Sequence, residues 1–82
     1  MITHIATFYT HYGAIKFHSE CIKADVTSKI LPVPRALSSS CGVCVRFMDI
    51  SYERAKGAED LDACYLTLPD GVYQKEYTTD KE

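Results

Sequence analysis

The sequence predicts a single α+β domain. Three observations carry that expectation: two apolar stripes at helical spacing, four short β-rich runs, and an order in which strands and helices interleave. With 82 residues, 46% of them hydrophobic, the chain is long enough for one compact core and no more.

The first β-rich run is Ile5 to Tyr9, with Ile5, Thr7 and Tyr9 on one side and Ala6 and Phe8 on the other. It carries no charge and suits a strand buried on both faces. Thr10 to Gly13 breaks it, and Thr10 is placed to cap a helix. Ala14, Phe17, His18, Cys21 and Ile22 then fall at i, i+3, i+4, i+7 and i+8, the core stripe of a helix ending near Ala24. Asp25 to Ser28 connects to a short apolar run, Ile30 to Val33. Pro32 and Pro34 cannot donate to a ladder, which suits an edge strand or an extended exit and stiffens the approach to Arg35 and the serines. Beyond Gly42, Val43, Val45 and Phe47 alternate with Cys44, Arg46 and Met48, giving a third strand with one apolar and one mixed face.

Leu61, Cys64, Tyr65 and Leu68 repeat the helical spacing, so a second helix is expected there, opening near Glu59 or Asp60. The competing reading is a strand over Cys64 to Leu68, turning through Pro69-Asp70-Gly71 into a hairpin. Val72 to Tyr77 alternates as a last strand. The order strand, helix, strand, strand, helix, strand gives a ferredoxin-like βαββαβ domain: an antiparallel sheet with two helices on one face. The domain is expected over residues 1–77, with 78–82 as a polar tail.

The formal net charge of −2 and pI near 5.9 provide no basic field for nucleic acid. No stretch approaches the length and apolarity of a membrane span. The start, Met1-Ile2-Thr3-His4-Ile5, lacks the basic and apolar segments of a secretory signal, so a cytoplasmic location is expected. In that compartment four cysteines point to free thiols, metal ligands or redox groups rather than a disulfide frame.

Chemistry concentrates in the loop Ser38-Ser39-Ser40-Cys41-Gly42. Gly42 opens backbone conformations closed to other residues. The serines supply hydroxyls and short side chains that leave nearby N–H groups free for an anion. Arg35 and Arg46 flank the loop. Positive charge and N–H donors favour a thiolate, which is the reactive form of cysteine, so Cys41 is the candidate reactive group. Cys41 and Cys44 also form a C-x-x-C. In extended backbone their Cα atoms would be about 10 Å apart, while a disulfide needs less than about 7 Å. A redox pair therefore requires a turn at Gly42-Val43.

A closed zinc site wants four ligands, usually in two pairs. Only one C-x-x-C is present, and Cys21 and Cys64 lie on the apolar stripes, where lone cysteines act as small hydrophobes. His4 and His11 fit no finger spacing, and His18 sits on the helix stripe. No metal or cofactor is expected on these grounds. His11 is a conceivable base for Cys41 in space, although no spacing supports it. Phosphate loops, H-E-x-x-H and nucleophile elbows are absent.

The segments Ile5-Ala6-Thr7-Phe8-Tyr9, Gly13-Ala14, Ile30-Leu31-Pro32-Val33-Pro34-Arg35, Ser38-Ser39-Ser40-Cys41-Gly42 and Val45-Arg46-Phe47, with Gly71-Val72-Tyr73 near the end, resemble a small bacterial domain family labelled selenium/sulfur carrier-like. The block from Pro32 to Gly42 is the most specific part. The resemblance implies that Cys41 is the functional residue and that Pro34 and Arg35 belong to its lead-in. It also implies a carrier rather than an enzyme, served by a cysteine desulfurase or other selenium or sulfur transfer enzymes. The chain departs from the family pattern at Cys44, which would make the site a dithiol.

Three functions follow. The first is a sulfur or selenium carrier holding a persulfide or perselenide on Cys41, with Arg35, Ser38, Ser39, Ser40, Gly42 and Arg46 around it. The second is a thiol–disulfide module using Cys41 and Cys44. The third is a small binding domain without chemistry of its own. The oligomeric state is open.

Overall fold

Five consecutive residues of the first strand, His4 to Phe8, are buried. A strand hidden on both faces needs ladder partners on both edges, and this one has them. The computed structural model describes residues 1–79 of the chain. It contains β1 (Ile2–Phe8), α1 (His11–Lys23), β2 (Ser28–Pro32), β3 (Val43–Asp49), a 3-10 turn (Tyr52–Arg54), β4 (Leu61–Thr67) and β5 (Tyr73–Thr78). The strands form one sheet in the order β2-β3-β1-β4-β5, every neighbour antiparallel. Thus β1 and β2 run parallel with β3 between them, a split βαβ unit in which α1 makes the crossover.

The class and the first four elements agree with the sequence reading; the second helix does not. Leu61–Thr67 is strand β4, paired with both β1 and β5. The i, i+3, i+4 coincidence of Leu61, Cys64 and Tyr65 imitates a helix because the ladder is irregular. A register shift between Thr7 and Phe8 lets Leu61 share a side with Phe8 while Ala63 lies opposite Thr7. Leu61, Ala63 and Cys64 are consequently all buried, a pattern that neither a clean period of 2 nor one of 3.6 describes. The Pro69-Asp70-Gly71 turn closes the hairpin, with Leu68 N–H bonded to Val72 O at 2.8 Å and Gly71 N–H to Leu68 O at 2.9 Å. Among the described residues, the exact βαββαβ arrangement with two helices therefore gives way to one helix and five strands. In the connection from β3 to β4, the 3-10 turn brings in Tyr52, whose ring stacks on Tyr77 at 5.7 Å, and is followed by buried Ala55.

Helix α1 starts because Thr10, in extended conformation, accepts from Gly13 N–H at 3.0 Å through its hydroxyl. The same hydroxyl donates to Asp60 Oδ2 at 2.7 Å. Ala14, Phe17 and Cys21 bury the stripe that the spacing predicts, whereas Ile22 is exposed and His18 meets Ser28 Oγ at 2.8 Å. Phe17 packs edge-on against Phe47 at 5.2 Å and beside Phe8 at 5.7 Å, the aromatic centre of the core. The strand containing Pro32 does lie at the edge of the sheet.

Thr78 ends β5, and Thr79 N–H bonds to Asp62 O at 3.0 Å. The remainder of the expected tail lies outside the described residues. Among the described residues no helix is long and apolar enough to cross a membrane.

Gly13 supplies the first test. A Cβ there would meet Glu59 O at 2.6 Å and the Asp60 Cβ at 2.9 Å. An ordinary helical Gly→Ala change stabilises by about 0.5–1 kcal/mol. Gly13→Ala is expected to do the opposite, costing about 1–3 kcal/mol by urea unfolding as the helix is pushed off Glu59 and Asp60.

Candidate functional site

The segment between β2 and β3 is shaped by its prolines and one glycine. Val33 N–H bonds to Gly42 O at 3.1 Å, extending the β2–β3 ladder by one step, and a turn closes with Leu37 N–H to Pro34 O at 3.0 Å. Gly42 has φ of +79°, in the left-handed region that side chains disfavour, which is why glycine stands there. The Ser39 hydroxyl donates to Phe8 O at 2.8 Å and so ties the loop to the end of the central strand.

Cys41 lies within this frame. It is half-buried, packs against the core cluster, and directs its thiol hydrogen to Val43 O at 3.3 Å. Ser39 Oγ stands 3.8 Å from its sulfur. Among the described residues the backbone N–H groups of Ser38, Ser39, Ser40, Cys41 and Gly42 donate to no protein acceptor. Ser38, Ser40 and Gly42 are exposed. The loop thus presents a thiol beside unclaimed donors.

The other sequence candidates are dispersed. Arg35 is exposed on the turn. Arg46 pairs across the sheet with Ile5 and Lys29, on the face away from α1. There it borders a groove of about 530 Å³ lined by Ile5, Leu31, Thr67, Leu68 and Tyr73. The charge of Arg46 acts on Cys44, the residue that pairs with Thr7 and Leu31 on the same face. Cys44 is fully buried and points its thiol at Pro32 O, 3.8 Å away. Burial pushes this thiol up to about 11, helped by the proximity of Cys41 and opposed by Arg46. Both Cys41 and Cys44 are free thiols. His11 opens α1 and is exposed.

A family model described as "Putative Se/S carrier protein-like" matches residues 3–59. The chain belongs to this family. No curated protein and no solved structure matches it. The segment matched to the carrier-like family runs from β1 through the 3-10 turn and contains the whole loop around Cys41, while β4 and β5 lie outside it.

One cluster escaped the sequence reading. His4 Nδ1 lies 2.6 Å from Glu76 Oε2, and the Cys64 thiol points at the same oxygen from 3.4 Å. These residues come from three strands and 72 positions separate the outer pair. Only the register brings them together, so no local spacing announces them. Burial raises the Cys64 thiol, and the Glu76 carboxylate raises it further.

The sign of the Cys44 shift fixes a pH dependence. The folded-state value, about 11, exceeds the ordinary thiol value of 9.0. Below pH 9 the thiol is protonated in both states and its contribution is intact; as the pH rises towards 11 the unfolded chain releases that proton first and the contribution is lost. Stability is expected to fall across this window, by on the order of 2 kcal/mol from Cys44. Urea unfolding at both ends of the window should show a smaller loss for Cys44→Ala than for the unaltered protein.

Proposed function

We propose that this carrier-like protein carries sulfane sulfur, or its selenium counterpart, on Cys41. The observation that carries the reading is the difference among the cysteines. Cys21, Cys44 and Cys64 are buried, and Cys41 alone is partly open, on a loop whose neighbouring N–H groups have no protein acceptor. A persulfide terminates in an anionic sulfur, and successive N–H groups in a turn suit such an anion.

Loading is an exchange without net oxidation. The Cys41 thiolate attacks the outer sulfur of a donor persulfide; the donor's S–S bond breaks as the Cys41 S–S bond forms, and the donor leaves as its thiolate. Ser39 keeps the loop in register by donating to Phe8 O. Its hydroxyl hydrogen is therefore directed away from the sulfur, and Ser39 acts as a positioning residue rather than a proton source. Gly42 gives the backbone its left-handed bend, and exposed Ser38, Ser40 and Arg35 form the surface on which a desulfurase or an acceptor would dock. Arg46 faces the far side of the sheet and belongs to a different surface. The burial and raised pKa of Cys44 favour a single-thiol carrier over a dithiol couple, because a protonated buried thiol is a poor resolving nucleophile.

Incubation with a cysteine desulfurase and cysteine, followed by intact-mass analysis and peptide mapping, tests the proposal. The expected product is one added sulfur on Cys41, removed by reductant and absent in Cys41→Ser, with Cys44→Ala loading as the unaltered protein does. Loading that persists in Cys41→Ser would end the reading. A disulfide between Cys41 and Cys44 as the main product would replace it with the thiol–disulfide function.

A further inference from the structure

Away from Cys41, three side chains of ligand type converge where β1, β4 and β5 meet. His4 pairs with Phe47 and Leu66 in the sheet, and Cys64 with Ala6 and Tyr77. On β5 the register jumps from Tyr77 opposite Cys64 to Lys75 opposite Tyr65, which leaves Glu76 without a ladder partner. The bulge turns the Glu76 side chain inward. As a result His4 Nδ1, Cys64 Sγ and a Glu76 carboxylate oxygen all lie within 4.8 Å of one another. The His4 and Glu76 side chains are 1% and 16% exposed, and Cys64 is fully buried.

The surroundings fix the histidine as a ligand is usually fixed. Nε2 faces Asp49 O at 3.3 Å. A carbonyl only accepts, so Nε2 carries its hydrogen and Nδ1 is the atom turned towards the cluster. The Asp49 segment is held in turn by Arg54 Nε on Oδ2 and by Ile50 N–H on Oδ1, each at 2.7 Å. The Phe47 ring stacks on the imidazole at 5.1 Å and restricts its rotation.

We propose that His4, Cys64 and Glu76 bind one divalent transition-metal ion of the zinc class, with a fourth position left for a small ligand. A set of one nitrogen, one thiolate and one carboxylate is borderline in softness; it suits zinc and does not suit magnesium or calcium. The charge balances. With the ion bound, a neutral imidazole, a carboxylate and a thiolate meet its two positive charges, and the hydrogen that Cys64 Sγ directs at Glu76 Oε2 leaves. Neighbouring ligands on a tetrahedral zinc stand about 3.3 Å apart, given bonds of roughly 2.0–2.1 Å. The 2.6 Å between His4 and Glu76 must therefore open. Glu76 is the ligand free to move, since it lies on a bulge of the edge strand and retains some exposure. Cys64 and Glu76 fall outside the segment matched to the carrier-like family. The site therefore does not depend on the Cys41 reading.

The test uses the full reduced chain with Cys41→Ser, which removes the open loop thiol, titrated with Co²⁺ and then Zn²⁺. The expected result is one equivalent of Co²⁺ with a thiolate-to-cobalt charge-transfer band, displaced by Zn²⁺. Calorimetry in buffers of different ionisation enthalpy should show proton release on Zn²⁺ binding, because the Cys64 thiol must ionise to ligate. Cys64→Ser should abolish the band. Glu76→Gln, which preserves volume and hydrogen bonding, should weaken binding by at least the roughly tenfold that loss of even an outer partner costs. Absence of binding, or a band unchanged by Cys64→Ser, would overturn the proposal. So would binding by the unaltered protein that disappears in Cys41→Ser.

Discussion

The close approach of α1 to the segment before β4 organises the molecule. Gly13 lies so near Glu59 O and Asp60 that no side chain fits between them. One hydroxyl, that of Thr10, caps the helix and grips Asp60. Tyr9 N–H bonds to Asp60 O at 2.8 Å, and Lys16 reaches Glu59 at 2.9 Å. The end of β1, the start of α1 and the entry to β4 are thus a single junction. Phe8 O, at its rim, accepts the Ser39 hydroxyl. The loop that presents Cys41 is therefore anchored to the same point that sets the helix against the sheet.

Much of this architecture was legible in the sequence. The uncharged run through Ile5 to Phe8 identified a strand buried on both faces, and Ala14, Phe17 and Cys21 identified the buried side of α1. Pro32 marked an edge because a proline has no hydrogen to give a ladder. Gly42 offered backbone conformations closed to other residues, and its φ is positive. In each case one residue's own chemistry dictates the outcome.

What was not legible depends on strands pairing over long separations. Leu61–Thr67 carried a helical spacing because a bulge put Leu61, Ala63 and Cys64 all in the interior. The proximity of His4, Cys64 and Glu76 requires the long-range pairing of β1 with β4 and the register shift between β4 and β5. The placing of Arg46 was equally hidden. Sequence proximity put it beside Cys41, but the pleat turns it to the opposite side of the sheet with Cys44. A residue five positions from a reactive group in a strand is as readily behind it as beside it.

The topology also bears on how the chain reaches this state. β1 is the centre of the sheet, yet its partners lie far along the chain, from Thr7 opposite Cys44 to His4 opposite Leu66. Contacts of such separation form slowly, because loop closure must precede any gain from pairing. During synthesis an apolar strand meant for the interior stays open on both edges until β3 and β4 have emerged, which is the period of greatest exposure to association with other chains. Helix α1, formed from local contacts immediately after β1, is the one element able to shelter it in that interval. Phe17 lying against Phe8 is the contact that would do so.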